Sequence, residues 1–182
     1  MEGPRVDARE EQGVPAMLPA AGPVSLRPWH KRDLALLQRM NTVEMWAHLG
    51  GPEEASTVLG RHHRYLEAFA GDTRMFAILH HEEAVGSIGY WIRRQAGAET
   101  LETGWMVVPE AQGQGIATAA AGLVIEELRT DIGSGIVHAY PSVDHPASNA
   151  VCRKAGFKLQ GPIEVEFPAG RFMRVNDWAY VF

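Results

Sequence analysis

The stretch PEAQGQGIATAAAG, residues 109–122, sets two glycines and two glutamines directly before an alanine-rich segment. A bare turn needs one glycine. Two of them around a short polar residue, with a helix starting at once, mean that something approaches the backbone closely there. The helix is expected from Gly115 to Arg129, with Ile116, Ala120, Leu123, Val124, Glu127 and Leu128 on one face. Its first-turn N–H groups lack intrahelical partners, and the macrodipole puts roughly +0.5 of a charge at that end. Gly113 and Gly115 have no Cβ to hold a ligand away. The stretch therefore predicts an anion site of diphosphate size at a helix N-terminus. A tight turn without a ligand is the alternative.

Reading outward, three strands precede the stretch: TRMFAILH (73–80), AVGSIGYWIRR (84–94) and LETGWMVV (101–108). The short polar connections HHEE and QAGAE make them an antiparallel meander. Before them come a strand VSLRPW (24–29) and a helix in KRDLALLQRMN, with Leu34, Leu37 and Met40 in register. A second helix lies in GPEEASTVLGRHHRYLEAFAGD; its stripe is Val58, Leu59, His62 or His63, Leu66 and Phe69, and Gly71 ends it. After the stretch follow a strand GIVHAYP, a short helix over 147–155, and the strands FKLQGPIEVEF and RFMRVNDWAYVF. The order β-αα-βββ-α-β-α-ββ describes one α/β (α+β) domain over 24–182, a mixed, mostly antiparallel sheet of about seven strands with flanking helices. Residues 1–23, rich in Pro, Gly, Ala and charge, are expected to be a flexible arm.

Composition narrows the classes. The 182 residues carry 46% hydrophobic and 21% charged side chains, enough for a core, and a net charge of -5. That balance argues against nucleic acid as the main partner. No apolar run reaches the ~18 residues of a membrane span, and the acidic start lacks a signal-peptide core, so the expected location is cytoplasmic. Cys152 is the only cysteine, which excludes an internal disulfide. The paired histidines His62-His63 and His80-His81 point in different directions, so no metal is expected.

Two anion templates fit poorly. The dinucleotide pattern G-x-G-x-x-G finds Thr118 at its third glycine, and a meander stands where one parallel strand belongs. The P-loop pattern lacks its Gly-Lys-Ser/Thr. The pattern Q-x-x-G-x-A runs from Gln112 through Gly113, Gln114, Gly115 and Ile116 to Ala117. With its flanks, LETGWMVVPEAQGQGIATAAAGLVIEEL resembles the acetyl-CoA signature of the GNAT superfamily of N-acetyltransferases. HPASNAVCRKAGF (145–157) resembles that superfamily's later motif. The element order agrees, and the resemblance covers 24–182. The closing FPAGRFMRVNDWAYVF resembles the branch that acetylates ribosomal-protein N-terminal amines and small amines.

The resemblance implies acetyl-CoA as co-substrate and a small-molecule or peptide amine as acceptor, joined by direct attack in a ternary complex. It implies that Gln112–Ala117 hold the diphosphate, and that amides near Val107 and Val108 face the pantetheine arm. Glu102 matches the family's strand glutamate and is the candidate base, with a solvent-facing carboxylate as the alternative. Many members carry a tyrosine where this chain has Cys152, so Ser148 is the candidate acid, or a helix cap. Asn149 contacts the pantetheine amide or caps the same helix. Met45 and Trp46, between the first helices, line the acceptor site or anchor the core. A homodimer is left open. An acyl-CoA-binding module without turnover and an NAD-type oxidoreductase stand as rival readings.

Overall fold

The computed structural model describes residues 24–68, 73–95, 98–167 and 170–182. The arm expected over 1–23, Phe69 and Gly71 lie outside them. The elements are β1 (Val24–Pro28), α1 (Leu34–Met40), α2 (Ala55–Glu67), β2 (Arg74–His80), β3 (Glu83–Gln95), β4 (Ala98–Val107), α3 (Ile116–Asp131), β5 (Ile136–Ala139), α4 (Pro146–Lys154), β6 (Lys158–Glu166) and β7 (Phe172–Val181). Among the described residues they form one 7-stranded sheet in the order β1-β2-β3-β4-β5-β7-β6. The expected element order and mixed sheet are both present.

Local chemistry explains the turns. β2 and β3 are joined through His81 and Glu82, both left-handed at φ 49° and 66°. Two successive left-handed residues give the backbone twist that a tight hairpin needs. Before α1, a 3-10 turn at Lys31–Asp33 is closed by the His30 N–H donating to Asp33 Oδ2 at 2.7 Å. The buried Asp33 carboxylate also accepts both guanidinium N–H groups of Arg27, at 2.9 and 3.0 Å, which fastens β1 to α1.

Two helical faces differ from their sequence reading. In α2 the buried residues are Val58, Arg61 and His62, whereas Leu59 is 43% exposed. Arg61 turns inward because it has partners there: Glu53 Oε2 at 2.6 Å and the Trp46 ring 4.7 Å from its guanidinium carbon. His62 Nδ1 accepts the Trp29 indole N–H at 3.1 Å. In α3 the buried face is Ile116, Ala120, Ala121, Val124, Ile125 and Leu128; Glu127 is exposed. The stripe lies about one position round from the one read in sequence, because helices turn 3.6 residues and short alanines blur the edge.

The feature that positions the site is the join between the sheet's two halves. Every described strand pairing is antiparallel except β4–β5, which is parallel and restricted to Leu101↔Val137 and Glu102↔His138. β4 runs on to Val107 while β5 ends at Ala139. Beyond Glu102 and His138 the strands part.

Candidate active site

The glycine loop leaves β4 through a 3-10 turn at Pro109–Ala111. Gly113 and Gly115 have φ of +74° and +79°, the left-handed region where a side chain is strained. Gly115 is the α3 N-cap, and no side chain caps it. The first helical bond is Ala119 N–H to Gly115 O at 3.0 Å. Among the described residues, no protein acceptor meets the N–H groups from Gly113 to Thr118. A Cβ built on Gly113 would meet nothing within 4 Å, so the space above it is open. Gln112 Nε2 donates to Val107 O at 2.8 Å and ties the loop to the end of β4. Gln114 turns its amide back to Glu110 O at 3.3 Å. A row of unpaired amides at a helix start, two of them on glycines, fits a diphosphate.

The open edge of β4 continues this row. Val108 N–H donates to Val85 O at 2.9 Å, so that amide belongs to the β3 ladder and is not available to a ligand. This corrects the expectation for Val108. Strand backbone alternates, so the N–H groups of Val107 and Trp105 point the other way, toward the gap left by β5.

At the closed end of the gap lies a polar cluster. Glu102 faces the same side as His138, its cross-strand partner on β5, and Trp91, its partner on β3. Arg93 Nη1 donates to Glu102 Oε2 at 3.2 Å. Burial raises the Glu102 pKa; the Arg93 charge and hydrogen bonds from Arg93 and Trp91 work against that, as does His138 nearby. His138 Nδ1 lies 2.6 Å from Asp177 Oδ1, and its ring stacks on Tyr140 with centroids 5.8 Å apart. The Arg93 guanidinium lies 5.9 Å from the centre of the Tyr140 ring. Burial, aided by the charges of Asp177 and Glu102, pushes the Tyr140 hydroxyl up to about 12. Gly104 follows Glu102 on this face, and a Cβ there would meet the Trp91 ring at 3.0 Å.

The start of α4 and the α1–α2 connection frame the opposite rim. Asn149 is buried, and its side chain is fully engaged. Nδ2 donates to Ser142 O at 2.9 Å and His145 O at 2.8 Å; Oδ1 accepts from Asn176 Nδ2 at 2.8 Å and Trp178 Nε1 at 2.9 Å. Of its two expected roles, geometry carries the one that holds the helix, since no polar valence is left for a pantetheine amide. His145 is the N-cap residue, so Ser148 sits inside the first turn and does not cap it. Cys152 is 0% exposed and burial pushes its thiol up to about 12, which makes it a packing residue. Trp46 is 4% exposed, with its indole N–H on Met40 O at 3.1 Å. Of its two expected roles, the geometry carries the core anchor and not the acceptor wall. Met45 meets the glycine loop, its sulfur 3.3 Å from Gln112 Nε2. His48 and His145 stack across the rim at 4.3 Å.

The family model of the acetyltransferase (GNAT) domain matches residues 24–158. The chain belongs to the GNAT acetyltransferase family. No curated protein matches by sequence. Solved GNAT structures share its fold. The aminoglycoside acetyltransferase AAC(6')-Ib with coenzyme A is 17% identical, with a TM-score of 0.69 over 87% of this chain and 94% of that one. The Salmonella typhimurium acetyltransferase that modifies the N-terminal serine of ribosomal protein L7/L12 is 20% identical, TM-score 0.70, over 87% and 95%. The spermidine N-acetyltransferase from Vibrio cholerae with coenzyme A and spermine is 18% identical, TM-score 0.70, over 87% and 95%.

Within this GNAT domain, sequence reading missed Trp105's open amide, the Glu102 neighbours Arg93, Trp91 and His138, and the His138 partner Asp177. One signal was present: in GIVHAYP, Val137 and Ala139 alternate with His138 and Tyr140, so a strand there has a polar face. Asp177 carried none, because it is 39 residues from His138. Among the described residues, no group of three or more His, Cys, Asp or Glu is placed to hold a metal ion, and no helix is long and apolar enough to cross a membrane.

Proposed function

We propose that this GNAT protein transfers the acetyl group of acetyl-CoA to a primary amine, with both substrates bound together. The observation that carries the reading is the row of unpaired amides from Gly113 to Thr118, continued by the outward N–H groups of Val107 and Trp105. Gly113, Gln114, Gly115, Ile116 and Ala117 are assigned to the diphosphate. Val107 and Trp105 are assigned to the pantetheine arm and the acyl end, and Gln112 holds that edge in place through Val107 O. When bound, acetyl-CoA supplies an acyl group activated as a thioester. A main-chain N–H fixed beside an oxygen that gains negative charge lowers a barrier by about 3 kcal/mol. Glu102 lies at the closed end of the gap, a half-buried carboxylate suited to seat an ammonium group, and Met45 borders the path to it. Ser148, on the first turn of α4 and without a side-chain hydrogen bond among the described residues, is the hydroxyl assigned to protonate the leaving sulfur.

The acceptor is a cationic primary amine, either a peptide N-terminus or a small molecule. The structural relatives whose descriptions name an N-terminal serine and spermidine define the first compounds to try. A second reading, an acyl-CoA-binding module without turnover, is favoured by the buried Cys152 at the position of the family's tyrosine. Calorimetry with coenzyme A and with NAD, then an amine screen read by free-thiol release, separates the three possibilities. Coenzyme A binding with thiol release supports the transferase. Binding without release for any amine leaves the module, and NAD binding alone overturns both.

A further inference from the structure

We propose that His138, oriented by Asp177, is the group that removes the proton from the acceptor's aminium nitrogen, while Glu102 seats the cation. The inference deepens the transferase reading and rests on it. Its first support is the tautomer. Asp177 Oδ1 stands 2.6 Å from His138 Nδ1, so the ring donates from Nδ1 and carries its lone pair at Nε2. Among the described residues, Nε2 has no hydrogen-bond partner. The dyad is 22% exposed at the histidine and 18% at the aspartate, shielded yet reachable.

The second support is position. His138 and Glu102 are the cross-strand pair at the last parallel rung, where the gap between β4 and β5 opens. In the same row, the neighbour of His138 on β7 is Ala179, whose small side chain leaves the imidazole open on that flank. The third support is the state of Glu102. Its carboxylate already accepts from Arg93 at 3.2 Å, and protonating it would strand a partly buried guanidinium. A neutral imidazole with an aspartate behind it has no such cost, because the imidazolium that forms is matched by Asp177. Four groups face His138 or its ring partner: Asp177 from β7, Glu102 from β4, Tyr140 on β5 and Arg93 from β3. Lys158 of β6 is in the same row beyond Ala179 and is exposed.

In the step proposed, one N–H bond of the aminium breaks and its electron pair stays on nitrogen. The proton forms a new N–H bond at Nε2, and the imidazolium releases it to water before the next turnover. Only a His138 with a bare Nε2 can accept it.

The test has a spectroscopic arm and a kinetic arm. In protein carrying nitrogen-15 histidine, without ligand at neutral pH, His138 is expected to show a protonated Nδ1 and a bare Nε2, a pattern lost in Asp177→Asn. The kinetic probes are spermidine and a peptide with N-terminal serine. His138→Gln is expected to lower kcat at least ~100-fold and to move the acid limb of the pH profile toward the free amine's own pKa, about 8 to 10. Glu102→Gln is expected chiefly to raise KM and to keep the limb. Coenzyme A affinity is expected to be unchanged in His138→Gln, which separates this failure from failure of the transferase reading. If neither amine turns over, the tautomer alone decides; if His138→Gln does not fold, the tautomer and Asp177→Asn decide. An Nε2-protonated His138 in the wild type, or a His138→Gln protein with wild-type kcat and limb, overturns the proposal.

Discussion

Single residues divide by whether their role depends on their own backbone or on distant partners. Gly113 is of the first kind: its φ of +74° and the open space beside it are consequences of having no Cβ. Gly113→Trp is expected to cost about 1–2 kcal/mol from the left-handed conformation and to abolish coenzyme A binding in calorimetry, since no internal clash competes as an explanation. Gln112→Ala removes the bond to Val107 O and is expected to cost about 1 kcal/mol, read as a modest drop in Tm, together with a measurably weaker Kd for coenzyme A. The glycine turn at the start of α3 was legible from the glycines themselves; the bond from Gln112 to Val107 O was not. Trp46 and Asn149 were each left between two roles. An indole reads the same in sequence whether it meets a substrate or, as here, the carbonyl of Met40. Asn149 takes its meaning from Asn176 and Trp178, which are 27 and 29 residues away.

At the scale of elements, strands and helices were found, but the faces they turn inward were read less well. α2 buries Arg61 where an apolar stripe was expected, its charge paired with Glu53 and its guanidinium carbon over the Trp46 ring. The β2–β3 hairpin was placed correctly from its polar residues, although His81 and Glu82 are not the residues such a turn favours. Asn149 ties α4 to β7 through Asn176 and Trp178. Asn149→Leu is expected to strand the Trp178 indole, the Asn176 amide and two carbonyls, at a cost of about 3 kcal/mol or more. Thermal unfolding checks it, with an expected fall in Tm near 10 °C, at roughly 2–4 °C per kcal/mol for a chain this long. Ser148→Ala, one position away but making no such bonds, is expected to leave Tm nearly unchanged.

For the molecule as a whole, acid is the informative perturbation. Burial lowers the pKa of His62 and of His145 below the ordinary 6.5, with neighbouring His63 and His48 adding to the effect. The folded state then holds fewer protons than the unfolded one, so stability is fullest above pH 6.5 and declines as pH falls through the lowered values. Thermal scans between pH 7.5 and about 5 are expected to show that decline, and a protein carrying His62→Asn and His145→Asn to show a shallower one. Element order was legible from periodicity and turns, and the family from two motifs in that order; this titration was not, because it depends on which imidazoles the packing removes from water. The two-rung join of β4 to β5 has a consequence of a different sort. It divides the sheet into two antiparallel leaves, β1–β4 and β5–β7, joined along a line of two paired rungs. Deuterium uptake should begin along that line, and a ligand that bridges the leaves should slow it there more than anywhere else in the sheet.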